Sequence, residues 1–281
     1  MIKCKNCGEL NPEDIKICLV CSQSLEAAKA SEQEFSWELD QPELFTQQLR
    51  DHFFKMMKQR VEAELDPKGY RKYFDHFHAS GFYKKFDARI TQLIAEIAEE
   101  YPDGNALQLV KTDQSVNSTL NDLLDAFIVI YAEPLHKIKL PPAILNYNNF
   151  QNGSPDLRKM IFDFLDFDTK KDKVFIDDQP FPERKLENAK SSFLFCGKDE
   201  KLFFFSDQTV FGFCREGFAM TDQALYWKAH FNEAGKVFYT ELDAIVRDSE
   251  WITINGRFFN VNMAMNYKMA LLLKKIKKYF A

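Results

Sequence analysis

The sequence predicts an α+β protein of several domains: a small cysteine-held N-terminal module, a central all-α domain, and a small antiparallel β-barrel or sandwich closed by a C-terminal helix. Three observations predict it. Two Cys-x2-Cys pairs open the chain, apolar residues then recur at helical spacing, and short β-rich runs separated by turn residues follow. The predicted boundaries are 1–24 for the module, 25–39 for a linker, 40–166 for the helical domain, 167–190 for a connector and 191–281 for the β domain.

The N-terminal module is defined by four cysteines at the spacing C-x2-C-x10-C-x2-C. They are Cys4, Cys7, Cys18 and Cys21. Two intervening residues turn the chain back on itself, so both sulfurs of a pair can reach one ion. Four thiolates then complete a tetrahedral Zn²⁺ site that has no open position for water. The spacing therefore predicts one structural zinc ion, whose binding supplies the folding free energy of this short segment.

Two disulfides are the alternative interpretation of the same four cysteines. Met1, Ile2 and Lys3 lead straight into the motif without a secretory signal, and in a reducing compartment this spacing favours metal over disulfide bonds. The other two cysteines, Cys196 and Cys214, lie in strand-like sequence and are predicted to be small buried residues.

Residues 4–24 resemble the short zinc-ribbon module that is common at the N-terminus of bacterial proteins. Its usual pattern is C-x-x-C-G, a turn, and then F/I-C-x-x-C. Gly8 follows the first pair as in that family, whereas Ser22 stands where the family usually has glycine. The resemblance implies that the same four cysteines bind the metal and that the module serves docking and assembly; it implies no particular activity.

The region 40–166 is predicted to form four helical stretches with wide apolar faces. Their limits are Asp40-Pro42 to Asp66-Pro67, a second stretch broken near Ser80-Gly81 and ended by Pro102, a third from about Asn117 to Pro134, and a short fourth that starts at Ser154-Pro155. Faces of this width need burial against one another. The pattern therefore predicts an antiparallel helical bundle or an irregular all-α domain.

Four histidines of this region are candidates for a catalytic or metal site: His52, His76, His78 and His136. An enzyme would need the fold to place them beside carboxylates in a cleft. His76 and His78 are two residues apart, so on a helix they point away from each other. The aromatic residues around them are predicted to be core, with an exposed subset as a docking face: Tyr70, Tyr73, Phe74, Phe77, Phe82, Tyr83 and Phe86.

The region 191–281 carries short β-rich runs separated by Gly, Asp, Asn or Ser turns. The predicted strands lie at 193–195, 202–205, 209–213, 217–220, 224–228, 237–239, 245–247, 251–254 and 257–261. Asn255-Gly256 predicts a type I′ hairpin turn. Asn262 is expected to cap the closing helix, whose apolar stripe runs from Met265 to Phe280.

Residues 211–228, with the sequence FGFCREGFAMTDQALYWK, resemble a strand-turn-strand hairpin of bacterial pleckstrin-homology-like (PH-like) domains. The resemblance implies a domain that binds lipid headgroups, peptides or partner proteins without catalysis. Phosphoinositide binding is not carried over, because the first predicted hairpin has only Lys198 and Lys201 as basic residues.

The formal net charge of −5 does not favour a broad nucleic-acid-binding surface. The longest apolar stretch, near residues 126–132, is far shorter than the roughly 20 residues that span a bilayer, so a soluble cytoplasmic protein is expected. An anionic membrane surface is a further candidate partner, through Lys274, Lys275, Lys277 and Lys278. The alternative for these lysines is a solvated helix face whose positive end complements the helix dipole.

Taken together, these features predict a non-enzymatic bacterial zinc-binding adaptor or scaffold that docks protein partners through its zinc ribbon and its PH-like domain. Two alternatives stay open. One is a nucleic-acid-binding regulatory protein that uses the ribbon, whose lysines are Lys3, Lys5 and Lys16. The other is an enzyme with an unrecognised site in the helical domain.

Overall fold

The computed structural model describes residues 2–3, 10–11, 37, 39, 41–100, 106–148, 156–168, 172–248 and 250–280. The chain divides into two compact units, Met1–Lys137 and Ile138–Ala281. Helices and antiparallel sheets occur together among the described residues, which confirms the predicted α+β class. The four N-terminal cysteines and most of the predicted linker lie outside the described residues.

The described residues of the N-terminal unit form helices and one short strand pair. Its elements are β1 (Ile2–Lys3), β2 (Leu10–Asn11), α1 (Pro42–Arg60) with a π-helical turn (Val61–Leu65), α2 (Tyr70–Ala79), α3 (Phe82–Glu100), α4 (Ala106–Ala126) with a second π-helical turn (Phe127–Tyr131), and a 3-10 turn (Glu133–Leu135). β1 and β2 pair antiparallel.

The first two predicted helical stretches are confirmed. α1 carries its proline in the first turn, and its π-helical turn ends at Asp66, immediately before Pro67. The predicted break is the boundary between α2 and α3, where Gly81 adopts a φ of +77° that suits glycine. α4 begins at Ala106, well before the predicted start at Asn117, because the polar run 111–115 hides the helical pattern.

The long helices of this unit alternate in direction. Arg89 on α3 contacts Thr119 on α4 (3.4 Å), whereas Phe82 at the start of α3 lies beside Tyr131 (ring centroids 4.8 Å), so α3 and α4 are antiparallel. The unit's core is aromatic. Its fully buried rings are those of Phe45, Phe53, Tyr73, Phe82, Phe86 and Phe127.

In the described part of the C-terminal unit there are two antiparallel sheets and three α-helices. Its elements are a 3-10 turn (Pro142–Tyr147), α5 (Leu157–Leu165), β3 (Val174–Ile176), α6 (Glu183–Ser192), β4 (Leu202–Asp207), β5 (Gly217–Thr221), β6 (Ala224–Lys228), β7 (Gly235–Phe238), a 3-10 turn (Tyr239–Glu241), β8 (Ile245–Asp248), β9 (Trp251–Ile254), β10 (Arg257–Phe259) and α7 (Met263–Phe280). The strand orders are β3-β4-β5-β6-β7 and β10-β9-β8.

Local sequence explains the sharpest features of these sheets. Asn255 and Gly256 adopt φ values of +48° and +76° between β9 and β10, which confirms the predicted hairpin turn. Gly217 opens β5, and a side chain there would place its Cβ 1.9 Å from the Ser206 carbonyl oxygen on β4. Asn262 Oδ1 accepts the N–H of Met265 (2.9 Å), which confirms the predicted cap of α7.

The structure differs from the predicted connector at residues 167–190. β3 lies in this stretch and pairs with β4, and α6 begins there and packs on the large sheet. The boundary between the units also precedes the predicted one, because α5 contacts α7 and so belongs to the C-terminal unit. α5 starts at Leu157 with Asp156 as its N-cap, whereas the predicted cap at Ser154-Pro155 lies outside the described residues.

Two predicted strands are wrong. Residues 193–195 directly follow α6, and Phe193 continues the apolar face of that helix one turn beyond Ala189. Residues 209–213 form a loop rather than a strand, because Gly212 and Cys214 both adopt positive φ values, +75° and +54°.

Candidate functional site

The predicted zinc ligands Cys4, Cys7, Cys18 and Cys21 lie outside the described residues. The chain on either side of the first pair is described: Ile2 pairs with Asn11 and Lys3 pairs with Leu10. The described strands on either side of the first Cys-x2-Cys pair are thus antiparallel to each other. A chain reversal is what a pair of thiolates needs to share one ion, so the donor set and its flanks fit the metal.

The four histidines of the helical unit do not come together as a site. His52 Nε2 lies 3.0 Å from the side-chain oxygen of Asn117. His76 Nε2 lies 2.7 Å from the Tyr131 backbone oxygen, and His136 Nε2 lies 2.7 Å from that of Ile128. The last two therefore bind carbonyls of the π-helical turn after α4. Such end-of-helix carbonyls need donors, so this is a structural role.

Burial governs the titration of two of these rings. Desolvation lowers the pKa of His136 below the usual 6.5, and its buried Nδ1 has no hydrogen-bond partner among the described residues. Desolvation, with a smaller contribution from Arg50, also lowers the pKa of His78, which packs edge-on to Phe74 (ring centroids 5.4 Å). Both rings are therefore held neutral near pH 7.

The aromatic residues of α2 and α3 were predicted mainly as core, and this is confirmed. Tyr70, Tyr73, Phe77, Phe82 and Phe86 are all buried. Tyr83 is the most exposed of the predicted set, at 37%. Phe74 is partly buried, so among these seven rings only Tyr83 and part of Phe74 reach the solvent.

The lysines of α7 are largely used within their own unit. Lys268 Nζ donates to the Leu165 carbonyl (3.0 Å), Lys275 Nζ to Asn148 Oδ1 (3.1 Å) and Lys277 Nζ to the Asp243 carbonyl (2.5 Å). Lys268 is thereby a cap for the C-terminal carbonyls of α5. The helix therefore presents less free positive charge than its sequence suggests.

The three most exposed large apolar side chains among the described residues, those of Phe231, Val210 and Phe211, lie on two loops of the C-terminal unit. Val210, Phe211 and Phe213, on the loop between β4 and β5, are 85%, 81% and 52% exposed. Phe231, on the loop between β6 and β7, is 94% exposed. We call these four residues the apolar tip.

Sheet register places both loops at the same end of the large sheet. Asp207 at the end of β4 pairs with Gly217 at the start of β5, and Gly217 also pairs with Lys228 at the end of β6. The two loops are also joined directly, because His230 Nδ1 lies 2.8 Å from the Glu216 carboxylate. The four residues of the apolar tip therefore lie on two neighbouring loops at one end of the large sheet.

A buried carboxylate fixes the conformation of the longer loop. Asp207 Oδ1 accepts the backbone N–H groups of Thr209 (3.0 Å) and Cys214 (3.2 Å), and also the Thr209 hydroxyl. Burial alone would raise the pKa of the Asp207 carboxyl, but these hydrogen bonds outweigh it and lower that pKa. Lys173 Nζ adds a bond to the Thr209 carbonyl (3.2 Å). These hydrogen bonds therefore fix the backbone of the loop at Thr209 and at Cys214.

A second buried carboxylate lies near the opposite end of the sheet. Glu200 accepts hydrogen bonds from the Tyr226 and Thr221 hydroxyls (2.7 and 2.9 Å) and from the Gly197 N–H (2.9 Å). Burial would raise the pKa of Glu200, but these donors together lower it. The described hydrogen bonds of Glu200 connect the loop before β4 with β5 and β6, so this carboxylate has a structural role.

The two downstream cysteines differ from each other. Cys214 is fully buried, as predicted, and burial together with Asp207 raises the pKa of its thiol to about 12. Cys196 is half-buried, and desolvation raises its pKa as well. Neither lies in a strand, and neither has the low pKa of a reactive thiol.

Sequence reasoning missed the apolar tip because it assigned 209–213 to a strand. Two signals could have found it. Gly212 separates Phe211 from Phe213, and Asp207 followed by Thr209 is typical of a side-chain-stabilised turn. Aromatic residues in such a turn cannot be paired in a sheet and are left to solvent or a partner.

Comparison with protein-family models, with curated proteins and with solved structures finds no match to this chain. In the part of the chain that the structure describes, no helix is both long and apolar enough to cross a bilayer. Within the same residues, His, Cys, Asp and Glu side chains do not gather into a group of three or more that could hold a metal ion.

Proposed function

We propose that this chain is a cytoplasmic, non-enzymatic zinc-binding adaptor that docks protein partners through an N-terminal zinc ribbon and a C-terminal PH-like domain. The single observation that carries the docking role is the apolar tip: four large apolar side chains, 52% to 94% exposed, on two hydrogen-bonded loops. Exposed apolar patches of this kind mark interaction surfaces.

The order of elements in the C-terminal unit supports the PH-like assignment. Four strands, β4 to β7, form one antiparallel meander, three more, β8 to β10, form a second, and α7 follows and contacts β8 and β9. This is a small two-sheet fold ended by a closing helix, as the resemblance at residues 211–228 implies. β3, α5 and α6 are additions on its N-terminal side.

The zinc assignment is supported by the donor set and by the strand register around its first half. When bound, the ion would be held by Cys4, Cys7, Cys18 and Cys21 and would supply folding free energy to the first 24 residues. The role of these cysteines is then to hold a small docking surface in shape, since four thiolates leave no coordination position for a substrate.

The positions of the histidines favour an adaptor over an enzyme of the helical unit. His76 and His136 bind carbonyls of one π-helical turn, and His52 binds an amide. Each ring thus has a structural partner that its sequence position explains. On this proposal the helical unit links the two docking modules.

Two measurements test the proposal. Metal analysis of the purified, reduced chain should find one zinc per chain, and Cys4→Ser with Cys18→Ser should abolish it. Capture from the native host should return specific proteins with the full chain, and deletion of residues 1–24 should remove a subset. Zinc-free protein would reject the metal site, and an unchanged set of partners after deletion would reject the docking role of the ribbon.

A further inference from the structure

The apolar tip carries a pair of rings on one loop and a single protruding ring on the next. The ring centroids of Phe211 and Phe213 lie 6.2 Å apart, and we call these two residues the ring pair. Phe231 is 94% exposed, and its backbone φ of +59° is a costly conformation for a bulky residue. The His230 ring packs against it (centroids 3.8 Å) and is itself held by Glu216. Contacts within the unit therefore hold Phe231 outwards.

We propose that the occupant of the apolar tip is the tip of a second copy of this chain, in a dimer with two-fold symmetry. An axis between the two loops would place Phe231 of each copy against the ring pair of the other, at the spacing of about 4.5–7 Å that aromatic rings prefer. Such an isologous contact needs one surface that carries both sides of the contact. This inference rests on the proposed docking role of the tip and names its partner.

The area of the tip fits a dimer. Its apolar side chains expose roughly 600 Å², taking about 150–250 Å² for a whole aromatic ring. That is the upper end of the roughly 300–600 Å² found for the largest apolar patch of a monomeric protein. The exposed polar side chains of the same loops bring one copy toward the roughly 800 Å² that each partner of a stable pair buries: Arg215, Asn232 and Glu233.

The charges of the two loops are also self-complementary. The net charge of −5 on the whole chain opposes the approach of a second copy. On the loops, however, the exposed side chains of Arg215 and Glu233 carry opposite charges, and neither forms an ion pair within the described residues. Glu216 lies against His230. Two-fold symmetry would bring Arg215 of each copy to Glu233 of the other, so the tip can meet its own copy without repulsion.

Pairing through the tip would give the adaptor a property that a single chain lacks. A dimer carries the predicted zinc ribbon twice. A partner that repeats its binding site would then be held at two points, and the second contact forms at the high effective concentration that the first one sets. The tip would thus set the valency of the adaptor, while the ribbons bind its other partners.

Sedimentation equilibrium of the full chain tests the proposal. The chain should form a dimer that dissociates on dilution in the range of about 1–100 μM. The double variant Phe211→Ser, Phe231→Ser should raise the dissociation constant at least about a hundredfold, because it removes the central rings from both copies. Val246→Ser is the matched control: Val246 is 55% exposed on β8 of the other sheet, so the dimer should persist.

A charge exchange separates a dimer of tips from any other use of this surface. Arg215→Glu alone and Glu233→Arg alone should each weaken the dimer at least about tenfold, because each sets like charges against each other. An equimolar mixture of the two variants should regain it, since every contact then joins opposite charges. Thermal unfolding of each variant checks that the fold is kept.

Several results would overturn the proposal. These are a full chain that stays monomeric at about 100 μM, a dimer that survives the double phenylalanine variant, an equal loss in Val246→Ser, or a mixture of charge variants that stays monomeric. A monomer whose tip binds a different protein or lipid vesicles would overturn it as well. Zinc content and ribbon-dependent capture can be measured on the double variant, so the proposed function succeeds or fails separately.

Discussion

Phenylalanine serves opposite purposes in the helical core of the N-terminal unit and on two loops of the C-terminal unit. In the N-terminal unit, Phe53 is fully buried and its ring packs against those of Phe77 and Phe86, with centroids 5.6 and 4.6 Å away. In the C-terminal unit, Phe211 and Phe231 protrude from hydrogen-bonded loops. The backbone around a residue, rather than the residue type, decides which purpose it serves: a helix face buries the ring, and a turn fixed by polar contacts exposes it.

The largest effect should come from the buried side of this comparison. Phe53→Ala removes a ring from the centre of the aromatic core and should lower the free energy of unfolding of the N-terminal unit by about 3–5 kcal/mol. Phe211→Ala should change that of the C-terminal unit by less than about 0.5 kcal/mol, because the ring contacts mainly solvent. Urea unfolding of both variants measures the two losses of free energy. Losses of similar size would contradict the distinction between the buried and the exposed phenylalanines.

A second, smaller effect should come from the carboxylate beneath the tip. Asp207→Ala leaves the Thr209 N–H without its acceptor, while the Cys214 N–H keeps only its bond to Thr209 Oγ1 (3.3 Å), and an orphaned donor costs about 1–3 kcal/mol. Asp207→Asn keeps one acceptor oxygen and should lose less. Urea unfolding ranks the three proteins, and an Asp207→Ala variant as stable as the original chain would show that the loop is not held from below.

The comparison also shows how far sequence reasoning reaches. Helix limits that depend on local chemistry were predicted well: Pro42 at the start of α1, Gly81 between α2 and α3, and Asn262 at the cap of α7. So was the Asn255-Gly256 turn. These features are decided by a few neighbouring residues, and the sequence shows those residues directly.

What failed depended on contacts that composition alone does not show, some of them local and others between residues distant in the chain. Residues 209–213 have the composition of a strand, yet the acceptor at Asp207 holds them as a loop. The connector was assigned from its charges and prolines, but β3 gains its partner from β4. The apolar tip could not be predicted for both reasons: one of its loops was assigned to a strand, and its two loops are brought together by sheet register. Zinc binding by the four N-terminal cysteines remains a prediction.

A third way to sharpen the comparison is pH. The pKa of His136 is lowered in the folded chain from about 6.5 in the unfolded chain. Below pH 6.5 the unfolded state therefore binds more protons than the folded state, so stability is complete above that pH and falls as pH decreases toward the folded pKa. His78 acts in the same direction.

His136→Gln tests this dependence, because a glutamine amide can still donate to the Ile128 carbonyl but does not titrate. Urea unfolding of the N-terminal unit at about pH 5.5 and about pH 7.5 should show a smaller difference in the variant than in the original chain. The C-terminal unit provides the internal reference. If the stability of the His136→Gln variant depended on pH as strongly as that of the original chain, groups other than His136 would cause the loss of stability in acid.

The smallest effect concerns an exposed residue that does contribute to stability. Asn262 is exposed, like the phenylalanines of the tip, but its Oδ1 accepts the N–H of Met265 in the first turn of α7. Asn262→Ala should therefore cost about 1 kcal/mol, while Asn262→Asp keeps an acceptor and should cost less. Thermal unfolding of both beside Phe211→Ala separates exposure from stability: a loss for Asn262→Ala and none for Phe211→Ala means that the tip is free to serve a partner, whereas equal losses mean that its rings help to hold the fold.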